Sequence, residues 1–209
     1  MKNFENFING KFVASSGSER IEVKNPATGT VICTVPDSSE SDVESAIAAA
    51  QTAQGSWEKQ PAASRASILK SLAAKVREHV EPIAQVITEE QGKTLGLARV
   101  EVGFTADYLD YMAEWGRRIE GEIIESDRAG ETIFLFRRPI GVVGGILPWN
   151  FPFFLIARKA GPALITGNTI VIKPSEETPH NAVKFCELLV ELGFPAGLIN
   201  VVHVRGQTP

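Results

Sequence analysis

Asn150, Arg158, Lys173 and Glu176 have the types and spacing to handle a small polar molecule. Asn150 stands in "ILPWNFPFF", residues 146 to 154, among proline, tryptophan and phenylalanine. A primary amide at such an apolar corner suits donation to an oxygen that gains negative charge during a reaction. A preorganised donor of this kind in a dry pocket lowers a barrier by ~3 kcal/mol. Asparagine is also a good helix cap, a role open to it if a helix begins at Phe151-Pro152. Eight residues on, Arg158 lies in "FPFFLIARKAG" beside Phe151, Phe154 and Leu155. Its guanidinium either forks to a carboxylate or hydroxyl of a substrate or extends to solvent. Lys173 and Glu176, three residues apart, suit a clamp on a vicinal diol: the carboxylate accepts from two hydroxyls and the ammonium donates to one. If the diol is a ribose, that carboxylate repels a 2′-phosphate and favours NAD over NADP. The other reading makes Lys173 a solvated loop residue and Glu176 a cap for the next helix.

These residues need a scaffold, and the second part of the chain predicts one. The order is strand (140–147), helix (about 152–166), strand "NTIVIKPS", helix (about 179–192) and strand "LINVVHV". "IGVVGGIL" is a continuous apolar run, as in a parallel strand covered on both faces. Strands alternating with helices predict a right-handed parallel βαβαβ unit. Ligands of such sheets bind at the carboxyl ends of the strands, where "LPWN" and "KPSEE" fall. The GxGxxG fingerprint is absent, and "GVVGG" has a different spacing.

The first part reads differently. Asn9-Gly10 between β-prone residues signals a hairpin, and Pro26 with Gly29 marks a second turn between Val23 and Val31. Helices follow. Ser39 or Ser41 caps one carrying Val43, Ile47 and Ala50 on a face; another from about Ser64 carries Ile68, Leu69, Leu72 and Val76. Pro82 interrupts that helix or starts the next, which ends at Gly92. From about Leu95 to Ile119, Val100, Phe104, Tyr108, Tyr111 and Trp115 recur at helical spacing and are expected in the core. Ile133 and Leu135 suggest a half-buried strand. The expected fold is therefore α/β: a helical and β-hairpin region over 1–130, then over 131–209 a partial, three-strand parallel Rossmann-like sheet. "LINVVHV" is expected at an open apolar edge, lacking a neighbour.

Composition narrows the function classes. A net charge of −4 and a pI near 5.5 argue against nucleic acid as a partner. No apolar run approaches the ~20 residues that span a bilayer, and the N-terminus lacks the apolar stretch of a signal peptide. A cytoplasmic protein is expected, with Cys33 and Cys186 as reduced, buried thiols. Three scattered histidines offer no metal cluster.

With those residues in hand, the sequence resembles the aldehyde dehydrogenases. "NPATG", "EEQGK", "GVVGGILPWNFP", "ALITGNTIVIKPSEETP" and "GFPAGLINVV" match the family in order along nearly the whole chain. "FTADYLDYMAEWGRRIEGEII" and "NFPFFLIARKAGPAL" are most similar to its bacterial lactaldehyde (glycolaldehyde) branch. The resemblance implies a homo-oligomeric, NAD-dependent oxidoreductase that converts a small aldehyde to its acid. It implies that Asn150 supplies the side-chain half of an oxyanion hole. It also implies that the backbone of Ile146, Leu147, Pro148 and Trp149 lines the nicotinamide end of the cofactor. Lys173 and Glu176 match the adenosine-ribose contacts, with Ser175 in their loop, while Phe151 and Arg158 face substrate. In the family a cysteine thiolate attacks the aldehyde and a glutamate activates water. Neither Cys33 nor Cys186 matches that nucleophile's motif, and "VRGQTP" has Val204 where the family has a glycine. These departures give the expectation of an N-terminal part of such an enzyme, inactive alone. The alternatives are a non-catalytic remnant that binds a full-length paralogue and a free-standing nucleotide-binding module.

Overall fold

The computed structural model describes residues 2–206; the last residues of "VRGQTP", beyond Gly206, lie outside the described residues. The chain begins with β1 (Lys2–Asn3), then β2 (Asn6–Ile8) and β3 (Lys11–Val13), a hairpin turned by Asn9-Gly10. Both turn residues have positive φ, 52° and 79°, the twist that a tight two-residue hairpin demands. β4 (Arg20–Lys24) and β5 (Val31–Pro36) pair antiparallel around the Pro26–Gly29 turn, and β1 joins β5 in parallel.

Four helices follow. Ser39 precedes α1 (Glu40–Trp57), and Asp42 reaches back to accept its N–H at 2.9 Å. α2 (Ala62–Glu78) and α3 (Val80–Gln91) are separate, with Pro82 tolerated in the first turn of α3 and Gly92 closing it. α4 runs Leu95–Glu114. Its buried face is Ala98, Glu101, Val102, Thr105, Ala106, Leu109, Met112 and Ala113. This overturns the expected stripe: Val100, Phe104, Tyr111 and Trp115 are exposed. The small residues win because α4 packs closely on α2, α3 and the helix over Phe154–Ile165. An added Cβ on Gly161 of the neighbouring helix would meet Met112 at 3.0 Å, leaving no room for rings. Tyr108 is half-buried, edge-on to Phe154 at 5.6 Å.

β6 (Glu122–Glu125) and β7 (Thr132–Leu135) form a two-stranded ribbon whose residues are all exposed. Ile133 and Leu135 are therefore in a strand but not half-buried, because β6 and β7 pair only with each other.

The βαβαβ unit is present: β8 (Val142–Ile146), α5 (Phe154–Ile165), β9 (Thr169–Lys173), α6 (His180–Leu192) and β10 (Ile199–Val201), with both strand pairs parallel. The sheet order is β3-β2-β10-β9-β8. β10 is thus an inner strand, contrary to expectation. The N-terminal hairpin covers it: β2 pairs antiparallel with Val201 opposite Phe7, and Asn6 accepts the His203 N–H at 3.0 Å. The edge strands are β3 and β8, and on β8 Ile146 is 76% exposed.

Alternation along the strands divides the core. Phe7, Ile170, Ile172, Ile199 and Val201 point to the side of α5 and α6, joining a large cluster with Leu69, Leu72, Leu109 and Phe153. Ile8, Val171 and Val202 point to α1, against Ala46 and Val43. Val43 is only partly buried and Ile47 is exposed, so the predicted α1 stripe is covered at Ala50 alone. The two line an open cleft of ≈ 450 Å³ over Gly144, Val171 and Val204. Every described helix falls short of the length and apolarity needed to cross a membrane.

Candidate active site

The parallel register places Ile146 opposite Lys173, and the Leu147 N–H donates to the Lys173 carbonyl at 3.0 Å. The loops carrying Asn150 and Glu176 therefore leave adjacent strands at the same end of the sheet. Leu147 is buried beneath this corner, whereas Pro148, Trp149 and Asn150 are exposed.

Asn150 does not cap α5. That helix begins at Phe154, and the N–H groups of Phe153 and Phe154 donate to one oxygen of Glu101, at 2.9 and 3.1 Å. Among the described residues, nothing bonds the side-chain amide of Asn150. It lines an open cleft of ≈ 600 Å³ with Phe104, Pro148, Phe151, Phe154, Leu155 and Arg158. The arrangement therefore brings Asn150, Phe151 and Arg158 together, with a free amide and an exposed guanidinium on an otherwise apolar wall.

Glu176 does not cap α6 either. The N–H groups of His180 and Asn181 donate to Glu90, at 2.8 and 2.7 Å. Lys173 is only 18% exposed at its side chain, and its ammonium lies 3.2 Å from a Glu176 oxygen. The other Glu176 oxygen accepts the Gly206 N–H at 3.0 Å. Its own backbone N–H, then the Gly206 N–H and the Lys173 ammonium, hold the Glu176 carboxyl below the usual carboxylate range. Glu176 is thus ionised at neutral pH and one-third exposed, with a cation beside it. That donor and acceptor set fits a vicinal diol. Ser175 is buried below it and accepts the Glu177 N–H at 3.2 Å.

The sequence motifs offer no sign of the roles that Glu90, Glu101 and Lys93 take here, although Glu90 and Lys93 fall within "EEQGK". Glu101 is fully buried, and its second oxygen meets the Lys93 ammonium at 2.5 Å. Lys93 also donates to the Asn150 carbonyl at 3.1 Å and lies 4.1 Å from the centroid of the Phe151 ring. A carboxylate at a helix N-terminus stabilises it by up to ~2 kcal/mol. Removing one member of a buried pair costs ~3–5 kcal/mol, because the other charge is stranded. The available signal was a charged residue on the small-residue face of α4, one helical step from Ala98 and Thr105.

Both thiols lie elsewhere. Cys33 is buried in β5, and burial pushes it up to about 12; Cys186 is buried within α6, which pushes it well above its ordinary value. Neither is a thiolate at neutral pH.

Fold and site together define an α/β protein with a candidate ligand corner at the carboxyl ends of parallel strands. Residues 12–208 match the aldehyde dehydrogenase family, and the chain belongs to that family. It is 57% identical over 202 residues to lactaldehyde dehydrogenase of Escherichia coli (strain K12), covering 97% of this chain and 42% of that protein. The crystal structure of lactaldehyde dehydrogenase from Escherichia coli superposes with a TM-score of 0.96 over 99% of this chain and 43% of that one. PnpE in complex with nicotinamide adenine dinucleotide gives 0.94 at 40% identity, over all of this chain and 42% of that chain. An Escherichia coli succinate-semialdehyde dehydrogenase named for NADP(+) is also 40% identical, over 93% of this chain and 40% of that protein. The chain thus spans less than half the length of the relatives it matches.

Proposed function

We propose that this chain supplies the cofactor-holding and oxyanion-stabilising part of an aldehyde dehydrogenase. The enzyme oxidises a small hydroxy-aldehyde, such as lactaldehyde or glycolaldehyde, to its acid with NAD. The observation that carries this reading is the pairing of Ile146 with Lys173, which sets the Asn150 turn beside the Lys173–Glu176 loop.

Lys173 and Glu176 would hold the adenosine ribose, with Ser175 buttressing their loop. The backbone of Ile146, Leu147, Pro148 and Trp149 would line the nicotinamide. Bound there, NAD supplies a hydride acceptor. Asn150 donates to the aldehyde oxygen as it takes on negative charge, and Pro148, Phe151, Phe154 and Leu155 form the apolar wall beside that oxygen. Arg158 forks to a hydroxyl or carboxylate of the substrate. Glu176 disfavours a 2′-phosphate, which selects NAD over NADP.

A thiolate nucleophile and a carboxylate base are also needed, and the buried Cys33 and Cys186 do not supply the first. The 209 residues alone therefore catalyse no aldehyde oxidation. Their free thiols suit the cytoplasm, and the family resemblance suits a homo-oligomer. Calorimetric titration of the chain with NAD tests the cofactor half: saturable one-site binding supports it, and no heat of binding at any NAD concentration refutes it.

A further inference from the structure

We propose that Lys93 and Glu101 act as a positioning pair for the Asn150 turn, a role that rests on the oxyanion reading of Asn150. The Asn150 amide makes no bond of its own among the described residues, so its backbone sets the Cα–Cβ direction from which it reaches. That backbone is held at both ends by one ion pair. At the near end, the Lys93 ammonium takes the Asn150 carbonyl at 3.1 Å and packs 4.1 Å from the Phe151 ring centroid. At the far end, Glu101 takes the N–H groups of Phe153 and Phe154. The two side chains join at 2.5 Å, 10% and 0% exposed.

Each contact limits a different freedom. Glu101 fixes where α5 starts, and with it the exit of the turn. Lys93 fixes the peptide plane that follows Asn150, and with it the Cα–Cβ direction of Asn150. Glu101 comes from α4 and Lys93 from the junction before it, so the helical region sets the aim of a residue in the α/β unit. An ordinary helix cap would need Glu101 alone. The reach of Lys93 past the carboxylate to the Asn150 carbonyl and the Phe151 ring marks the pair as more than a cap.

The 209-residue chain provides the first test. In Lys93→Met, hydrogen exchange at Phe153 and Phe154 should accelerate by about tenfold or more, with Trp149 fluorescence shifted. Amides in β9 should keep their protection, and Lys93→Arg should restore both readouts. Exchange at Phe153 and Phe154 unchanged in Lys93→Met overturns the proposal. If Lys93→Met does not fold, Lys93→Arg and Glu101→Gln carry the test, the second accelerating exchange at the same amides and the first not. A chimera completed with the rest of Escherichia coli lactaldehyde dehydrogenase separates the two readings. Lys93→Met should lower kcat by about tenfold or more with KM for NAD unchanged. If Asn150→Ala lowers kcat and Lys93→Met does not, the positioning pair fails while the oxyanion reading survives. If neither lowers it, the oxyanion reading fails first.

Discussion

The Lys173 ammonium stands 3.2 Å from a carboxylate oxygen of Glu176, across three residues at the end of β9. The pair is held at both carboxylate oxygens of Glu176, since the other oxygen accepts the Gly206 N–H. Glu176→Gln should therefore weaken NAD binding and narrow the preference against NADP, because the neutral amide no longer repels a 2′-phosphate. Titrations of wild type and variant with both dinucleotides measure this. An NAD/NADP affinity ratio that does not change would count against the clamp.

Buried titratable groups set the pH dependence of stability. Burial lowers His180 from 6.5 to about 4 and His203 from 6.5 to about 3. As pH falls below 6.5 the unfolded chain takes up protons that the folded chain refuses, so stability drops. Glu90 acts in the opposite sense, since burial raises it from 4.5 to about 8. Its contribution is full below 4.5 and is lost as pH rises through 8. Two histidines outweigh one glutamate on the acid side, and Glu90 acts without them above 6.5. The melting temperature should peak near pH 6.5 and decline toward 8. Glu90→Gln should flatten the alkaline decline and steepen the acid one between 4.5 and 6.5. A melting temperature that climbs steadily across that range would contradict the assignment.

Gly193 and Gly197 bracket the turn into β10 with φ of 63° and 78°, but their surroundings differ. A Cβ on Gly193 meets open space, so Gly193→Ala bears only the left-handed conformation, ~1 kcal/mol. A Cβ on Gly197 would sit 2.8 Å from the Ala49 carbonyl and 2.9 Å from Ala53 on α1. Gly197→Ala should therefore cost well over ~2 kcal/mol, as overpacking adds to the backbone term. Urea unfolding of the two variants gives the comparison, and equal losses would mean α1 does not seat on this turn.

Local patterns made part of this legible in the sequence. The period-two hairpin at Asn9-Gly10, the stop at Gly92 and the strand–helix alternation after residue 140 all depend on neighbours within a few residues. Asn150, Lys173 and Glu176 stood out for the same reason, since strand ends place them together. The face of α4 did not. Two stripes share its helical period, and the large aromatics of one outweigh the alanines of the other until close packing against α2 is known. The pairing of β10 with β2 joins residues 7 and 201, a partnership that no local pattern encodes. Lys93 reaches Asn150 across 57 residues, so its contact was invisible for the same reason.

On the proposed mechanism, Asn150 serves an oxyanion and is not a structural amide. The most direct test of that role is the kcat of Asn150→Ala in an active chimera, measured by NADH absorbance with glycolaldehyde. This chain would replace the aligned 202 residues of Escherichia coli lactaldehyde dehydrogenase. The rate should fall ~100-fold or more with NAD affinity nearly unchanged, because the lost donor acts only where negative charge develops. A fall of less than a few-fold would rule out the oxyanion role and leave Asn150 as part of the turn that Lys93 and Glu101 hold.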